Sequence, residues 1–445
     1  MDLNLVRRHW WSVYIALYSI LIWPLTRPDI VGNSQSRIFL TFIAVFGGAL
    51  LTWTAYPDLR FTSITKIFTF AKTHKAPFIA LCYGFWAIIS AQFSKTPIIG
   101  LLGSLDTNSD GAFWTLMLSV VFFLVYFEVI RDSEIKKSLI TTIQWLLVVF
   151  VAFSIFEFIL KKPFLNPLAA QFELPVLNMG LTENLSGFLV LLTGGVFSFL
   201  SSHFNSALFF LLFATFGIGL SVNKFSFIGF FLLSIYHFFR RQHKIALGSL
   251  LAVGLGFLLS FGFTSLYNQE AKNSITQKDQ YQDRILLYRA ATRGILANPI
   301  LGYGGSQFQN SWMNFLSNAE LSKFFLNNFQ AKYEKTIRDK NTGISVFLVR
   351  NKDNHVTSVS VDSWKAKNQF LDIALMWGIF GLLLYFLLIY NSFKNLTNYN
   401  FFSMSIFTYT IYNFFWYTNI NIEGIFFIIL ATSCVSNKTL LEQNA

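Results

Sequence analysis

Charge and cysteine are scarce in this chain, and each scarcity removes a class of protein. Only 13% of the 445 residues are charged, against 54% hydrophobic and 18% aromatic, and the mean hydropathy is +0.50. That composition is too apolar for a soluble globule. The two cysteines, Cys82 and Cys434, fall inside apolar runs without metal-ligand spacing, which argues against a disulfide framework or a zinc site. No Asp-x-Asp pair or His/carboxylate cluster indicates a metal. Gly302, Gly304 and Gly305 lack a preceding strand and the lysine of a nucleotide loop, so they read as a tight turn. No small-x-small cleavage site follows the apolar stretch behind Arg7-Arg8-His9, which reads as an uncleaved first span. There is neither a period of about 20–50 residues nor a pair of interrupted helices in matching halves.

What is present is apolar sequence in blocks. Runs near 9–25, 38–56, 77–93, 112–130, 139–160, 184–202, 206–222, 225–239, 244–265, 370–390, 401–418 and 421–437 are read as spans, at about 17–25 residues per membrane helix. The expected fold is an all-α integral membrane protein of about twelve transmembrane helices. Nine lie in 1–265 and three in 370–445, on either side of a large, partly helical extracytoplasmic loop at 266–369. With the N-terminus cytoplasmic, the short loops on that side hold fourteen Lys/Arg. The opposite short loops hold six: Arg27, Arg37, Lys95, Lys161, Lys162 and Lys224. That bias sets the orientation. Because the basic residues divide by membrane side, the net charge of +12 does not imply nucleic acid as a partner. The loop carries fourteen Lys/Arg against eight Asp/Glu, 14 − 8 = +6, an excess that either an anionic ligand or a solvated basic surface explains.

The loop opens on a basic amphipathic helix, Arg284-Ile-Leu-Leu-Tyr288-Arg289-Ala-Ala-Thr-Arg293, which runs into the turn Pro299-Ile-Leu-Gly302-Tyr-Gly304. It closes on Lys367-Asn368-Gln369-Phe370-Leu371, where the chain re-enters an apolar run. Arg289 and Arg293 share a helical stripe, with Arg284 about 140° and 180° away from them. Three side chains so placed do not grip one anion from a straight helix. Arg284 is taken as the ligand, and Arg289 and Arg293 as further substrate or headgroup contacts. Between them, helical patterning at 311–335 and alternation over Ile344–Val349 read as a cap that shapes substrate access. The turn-rich segment from Phe93 to Gly111 reads as packing, and Thr182 or Asn184 as a helix cap.

Arg284, Tyr288, Pro299, Gly302, Gly304, Asn368 and Leu371 together resemble the O-antigen ligase and O-antigen polymerase superfamily. Its members carry an Arg with an aromatic four residues on, a Pro-x-x-Gly-x-Gly turn, and a later His-Asn-x-x-Leu. The segment after Ser94 resembles a loop of that superfamily, and Lys224 stands where members have the arginine of Ser/Thr-x-Ser-Arg. The resemblance implies a GT-C-like membrane glycosyltransferase that needs no cofactor, in the bacterial cytoplasmic (inner) membrane with its active face outside. The reaction implied is transfer of a glycan from an undecaprenyl-diphosphate-linked donor to a hydroxyl of a glycan or lipid acceptor, among membrane lipids. Ligase is placed ahead of repeat-unit polymerase. Arg284 is then the first diphosphate ligand, Lys224 a second, and Asn368 lies beside them.

Lys367 occupies the position of the superfamily's histidine, thought to be the base. A lysine acts as base only after losing its proton, which a nearby diphosphate opposes, so Lys367 is read as an anion ligand. His355, Asp362 and Asp372 are the alternatives for the base, and His355 also reads as a surface histidine. Two readings stand outside the enzyme class. One is a transporter or flippase of lipid-linked sugars, disfavoured because Glu128, Glu157 and Lys224 lie toward span ends. The other is a non-catalytic binder of polyprenyl glycans, motivated by the missing histidine.

Overall fold

The computed structural model describes residues 3–20, 30–55, 71–103, 111–161, 182–221, 223–267, 279–305, 315–329, 331–338, 345–351, 354–359 and 365–435. In chain order the helices are α1 (Leu3–Ile20), α2 (Ile30–Ala55), α3 (Lys75–Gln92), α4 (Pro97–Leu102), α5 (Ala112–Arg131), α6 (Ser133–Leu160), α7 (Thr182–Gly194) and α8 (Phe204–Gly219). They continue as α9 (Ile228–Phe239), α10 (His243–Tyr267), α11 (Asp279–Ala297), α12 (Asn318–Phe329), α13 (Gln369–Phe393), α14 (Phe401–Tyr412) and α15 (Ile420–Ser433). Three strands, β1 (Lys332–Arg338), β2 (Ser345–Arg350) and β3 (Val356–Val359), lie between α12 and α13. The chain clusters into two compact units. One is Met1–Gly84, Trp114–Thr276 and Leu384–Ala445; the other is Phe85–Phe113 and Gln277–Leu383.

Among the described residues, each of the twelve apolar runs contains helical structure. Among the described residues, six helical stretches are long and apolar enough to cross a membrane: Ser36–Ala55, Ala112–Arg131, Ser133–Leu160, Glu183–Ser201, His243–Ser265 and Gln369–Asn398. The first unit is a helical bundle centred on α14 and α15, whose residues are buried almost all round. A helix apolar on every side belongs in the middle of such a bundle. α2 and α10 lie at its edge and expose Phe39, Phe46, Leu251 and Leu258. Small residues bring neighbours close to α14. A Cβ on Gly229 would sit 2.8 Å from the Thr408 carbonyl oxygen, and one on Gly194 2.7 Å from Ser405 Cα. Between apolar helices in lipid, such close backbone approach supplies the packing energy.

Charge ties one end of this bundle together. Asp132 caps α6 by accepting from the Glu134 amide at 3.0 Å, and its Oδ2 accepts from Arg7 at 3.0 Å and Arg8 at 2.9 Å. Thr52 on α2 donates to Glu128 at 2.8 Å, with Arg7 3.7 Å from the same carboxylate. Asp132→Ala therefore removes a cap and leaves Arg7, mostly buried, without its main partner. We expect a loss of about 2–3 kcal/mol, seen as a lower melting temperature of the full chain in detergent. An unchanged melt would show the cluster to be ornamental.

Two expectations from the sequence are corrected here. Arg37, counted among loop cations, lies inside α2 and is fully buried. The loop expected as part of an all-α protein holds an antiparallel sheet in the order β1-β2-β3, and the helical patterning at 311–335 covers α12 and then the start of β1. Alternation at Ile344–Val349 falls on β2. There Phe347 and Val349 point into a core with Leu287, Ala290 and Ala291 of α11, Phe325 of α12, Ala366 and Leu375. This core belongs wholly to the second unit and holds α11 against the start of α13.

Candidate functional site

The second unit is built around a break in a helix of membrane length. Within α13, Gly378 adopts φ 70°, ψ 179°, a conformation open in practice to glycine alone. Interrupting a helix frees backbone groups, and an apolar surrounding tolerates this only where protein satisfies them. The Pro299-x-x-Gly302-x-Gly304 turn does so. Tyr303 N–H donates to the Leu375 carbonyl at 2.8 Å, Gly304 N–H to Met376 at 2.9 Å, and Ile379 N–H to Pro299 at 2.7 Å. From α3, Ser90 Oγ donates to the Met376 carbonyl at 3.0 Å, and Trp86 Nε1 to Trp377 at 2.8 Å. Gly302, at φ 69°, has no room for a Cβ, which would lie 2.5 Å from the Met376 oxygen and 2.6 Å from the Gly378 nitrogen. The glycines thus form a backbone clamp. Ser94 packs on Gly304, and Gly100 of α4 lies on Ser94 in turn, the packing role expected for that segment.

α13 begins at Lys367-Asn368-Gln369-Phe370-Leu371. Asn368 is its N-cap, with Oδ1 accepting from the Phe370 amide at 3.0 Å and the Leu371 amide at 3.1 Å. Asp372 reaches back so that its Oδ1 accepts from the Ala366 amide at 2.7 Å. Between these two, Lys367 is held at φ 57°, the left-handed region that a lysine rarely occupies. Leu371 packs against the unit's core. Lys-Asn-x-x-Leu is therefore a helix start with an anchor, and it fixes the backbone from which Lys367 projects.

Tyr288 joins the two motifs. Its hydroxyl donates to the Lys367 carbonyl at 3.3 Å, across 79 residues of sequence. Burial pushes the phenol up from its ordinary value, the Arg284 charge and a hydrogen bond with Asn368 pull it down, and the Asp372 charge pushes it up again. Arg284, Tyr288, Lys367, Asn368 and Asp372 are thus gathered at the start of α13. Arg284 is half-buried there, a setting in which a guanidinium acts more strongly on an anion than in bulk water.

Arg289 and Arg293 face a different carboxylate. Arg293 grips Glu320 of α12 with two bonds, at 2.7 and 3.1 Å, and donates to the Phe315 carbonyl at 2.9 Å. Arg289 lies 3.9 Å from the same carboxylate. Ser317 and Glu320 form a capping box: the carboxylate accepts from the Ser317 amide at 2.9 Å, and Ser317 Oγ from the Glu320 amide at 3.3 Å. Arg293 first, then the Ser317 amide, hold the Glu320 carboxyl down to about 2. A depressed carboxyl gives its full stabilisation above the unfolded value near pH 4.3 and loses it as the pH falls toward the folded one. Hydrogen exchange in α12, corrected for intrinsic rate, is therefore expected to match at pH 7 and 5 and to rise at pH 3. Glu320→Gln should raise it at neutral pH and flatten that dependence.

His355 lies exposed at the β2–β3 turn, where its carbonyl accepts from the Asn351 amide at 3.0 Å. Among the described residues it makes no hydrogen bond to the Arg284–Lys367 group. Asp362 is outside the described residues. Lys224 belongs to the first unit, and Arg284, Arg289, Arg293, His355, Lys367 and Asn368 to the second. Lys224 opens a short 3-10 turn capped by Asn223, whose Oδ1 accepts from the Phe225 amide at 3.2 Å. Asn223 is itself pinned, donating to Tyr412 at 3.0 Å and Ser186 at 3.2 Å. Lys224 lines a small, partly open cleft with Phe227, Phe257, Phe261, Ser260 and Thr264. Asn184, expected as a cap, accepts from Trp416 Nε1 at 3.0 Å.

Sequence reasoning did not single out Trp86 or Ser90, which sit in an apolar run with nothing in their spacing to mark them. Gly378 did carry a signal, a glycine in the middle of an apolar span, and Asp372 was weighed only as a possible base. Together, fold and site define a multi-pass helical membrane protein with a clamped, broken helix, at whose start Tyr288 bonds to the Lys367 carbonyl and lies within the field of Arg284. Compared with known proteins, the chain matches no family model and no curated sequence.

Proposed function

We propose that this protein is a membrane glycosyltransferase. It moves a glycan from an undecaprenyl-diphosphate-linked donor to an acceptor hydroxyl on the outer face of the bacterial cytoplasmic membrane. The reading is O-antigen ligase-like, with repeat-unit polymerase as the alternative of the same superfamily. The observation that carries it is the meeting of Arg284 and Tyr288 with Lys367 and Asn368 at the start of α13. In the reaction, the acceptor oxygen bonds to the anomeric carbon while the bond from that carbon to the diphosphate breaks, its electron pair leaving with the phosphate. Arg284 and Lys367 neutralise the departing charge, which a diphosphate needs more than it needs a proton. The acceptor's proton leaves late, and we assign it to Asp372, the carboxylate beside Tyr288.

The test uses purified full-length protein, a lipid-linked oligosaccharide and candidate acceptors. Release of polyprenyl diphosphate is compared in wild type, Arg284→Ala, Lys224→Ala and Lys367→Ala. Undiminished release in all three variants would remove the site assignment. One observation favours a second reading, a transporter or flippase, because discontinuous helices mark binding sites in many transporters. Against it, the carbonyls of residues 375–377 are engaged by Tyr303, Gly304, Ser90 and Trp86, which leaves them poorly placed to hold an ion. Uptake of substrate into proteoliposomes that is indifferent to Arg284→Ala would decide for transport.

A further inference from the structure

The first unit holds a cation that the proposed chemistry does not use. Arg37, in the third turn of α2, has no exposed surface, and among the described residues its Nε, Nη1 and Nη2 have no hydrogen-bond partner. The guanidinium lies 5.6 Å from the centre of the Tyr18 ring on α1. The polar groups around it are engaged elsewhere: Thr41 Oγ1 donates to the Arg37 carbonyl at 2.7 Å, Tyr14 and Thr41 hydroxyls share a bond of 2.8 Å, and Tyr18 donates to the Ile420 carbonyl. A ring face offsets only part of the desolvation of a guanidinium, and a charge left in this state inside a helical bundle marks a functional position by default.

We propose that Arg37 is the centre of an oxyanion site built for a phosphate group, carried either by an anionic lipid headgroup or by free inorganic phosphate. Among the described residues, neither edge of the guanidinium has a hydrogen-bond partner. A fork of this kind meets two oxygens of one phosphate in parallel, the bidentate pairing for which arginine is suited and lysine is not. Arg37 lies seven residues into α2, roughly 10 Å from its start. The opposite face of α2 is apolar and exposed at Phe39, Phe46 and Leu50, so the site is one helix away from the surrounding lipid. Entry requires α2 to part from Tyr18 on α1, and uptake is therefore read as stabilisation of that helix pair.

The experiment takes the full chain, delipidated in maltoside detergent, and adds phosphatidylglycerol, inorganic phosphate or, as the phosphate-free lipid control, diacylglycerol. Wild type is expected to melt about 3 °C higher at a hundredfold excess of ligand over its Kd. A shift with phosphatidylglycerol alone identifies the headgroup as the source, and a shift with inorganic phosphate as well identifies the free ion. Arg37→Met should abolish the shift, Arg37→Lys should reduce it, and Arg284→Ala should keep it. A wild-type melt that responds no more to either phosphate than to diacylglycerol overturns the proposal, as does a full shift surviving in Arg37→Met. Should Arg37→Met fail to fold, Arg37→Lys and the wild-type titration decide by the same criteria.

Discussion

Gly378→Ala is expected to cost at least about 4 kcal/mol, enough to place the variant among the exceptional single substitutions. Two effects act at once. The backbone at φ 70°, ψ 179° excludes any residue with a side chain, and a Cβ placed there would lie on the carbonyl oxygen of Ile300. Relieving that collision means pulling the 299–304 turn away from α13. Retreat of the turn breaks the bonds from Tyr303, Gly304 and Ile379 together, and leaves carbonyls and amides unsatisfied in an apolar surrounding. Single-donor changes provide the scale. Ser90→Ala removes a hydroxyl shared between the Met376 and Leu301 carbonyls, Trp86→Phe removes one bond to the Trp377 carbonyl, and each loss of a donor should cost about 1 kcal/mol. Thermal melting of the full chain in detergent orders the three. A Gly378→Ala protein that melts with the single-donor variants would mean the break is incidental.

The clamp shows what the sequence made readable and what it hid. Pro299, Gly302 and Gly304 were legible as a tight turn, because glycine at such spacing has few other uses in an apolar chain. The partner of that turn was not legible. A segment of α13 lying 72 residues away supplies the carbonyls, and no local periodicity records a pairing between backbone atoms. Arg37 failed for a related reason. Charge at the edge of an apolar run reads as a loop residue, and only packing reveals that α2 starts earlier and encloses it. The sheet was half-visible: alternation at β2 shows because Phe347 and Val349 meet a core, while in β1 the adjacent charges Glu334 and Lys335 at a bulge break the period, and it reads as part of the preceding helix. Among the cations, the helical wheel separated Arg284 from Arg289 and Arg293 correctly in direction. It contained nothing about Glu320, which waits on another helix.

That separation leads to the sharpest functional expectation. Arg284→Ala should lower kcat/KM for glycan transfer by about 10²–10³, the usual loss when one preorganised donor to a developing negative charge is removed. Most of the loss should fall on kcat, because charge on the diphosphate grows as its bond to the sugar breaks, and an interaction strengthening in the transition state is read there. Arg284→Lys should recover part of the rate, keeping a charge but losing the fork that meets two phosphate oxygens at once. Arg293→Ala provides the control of equal charge on the same helix. Its guanidinium is bound to Glu320, so its removal should loosen α12, quicken exchange there, and change turnover less than tenfold. If Arg293→Ala proves the more damaging to kcat, the reacting phosphate lies against α12 and the site must be moved. If both are silent while substrate still binds, the position occupied by Lys367 in place of histidine points to a protein that holds polyprenyl glycans without transferring them.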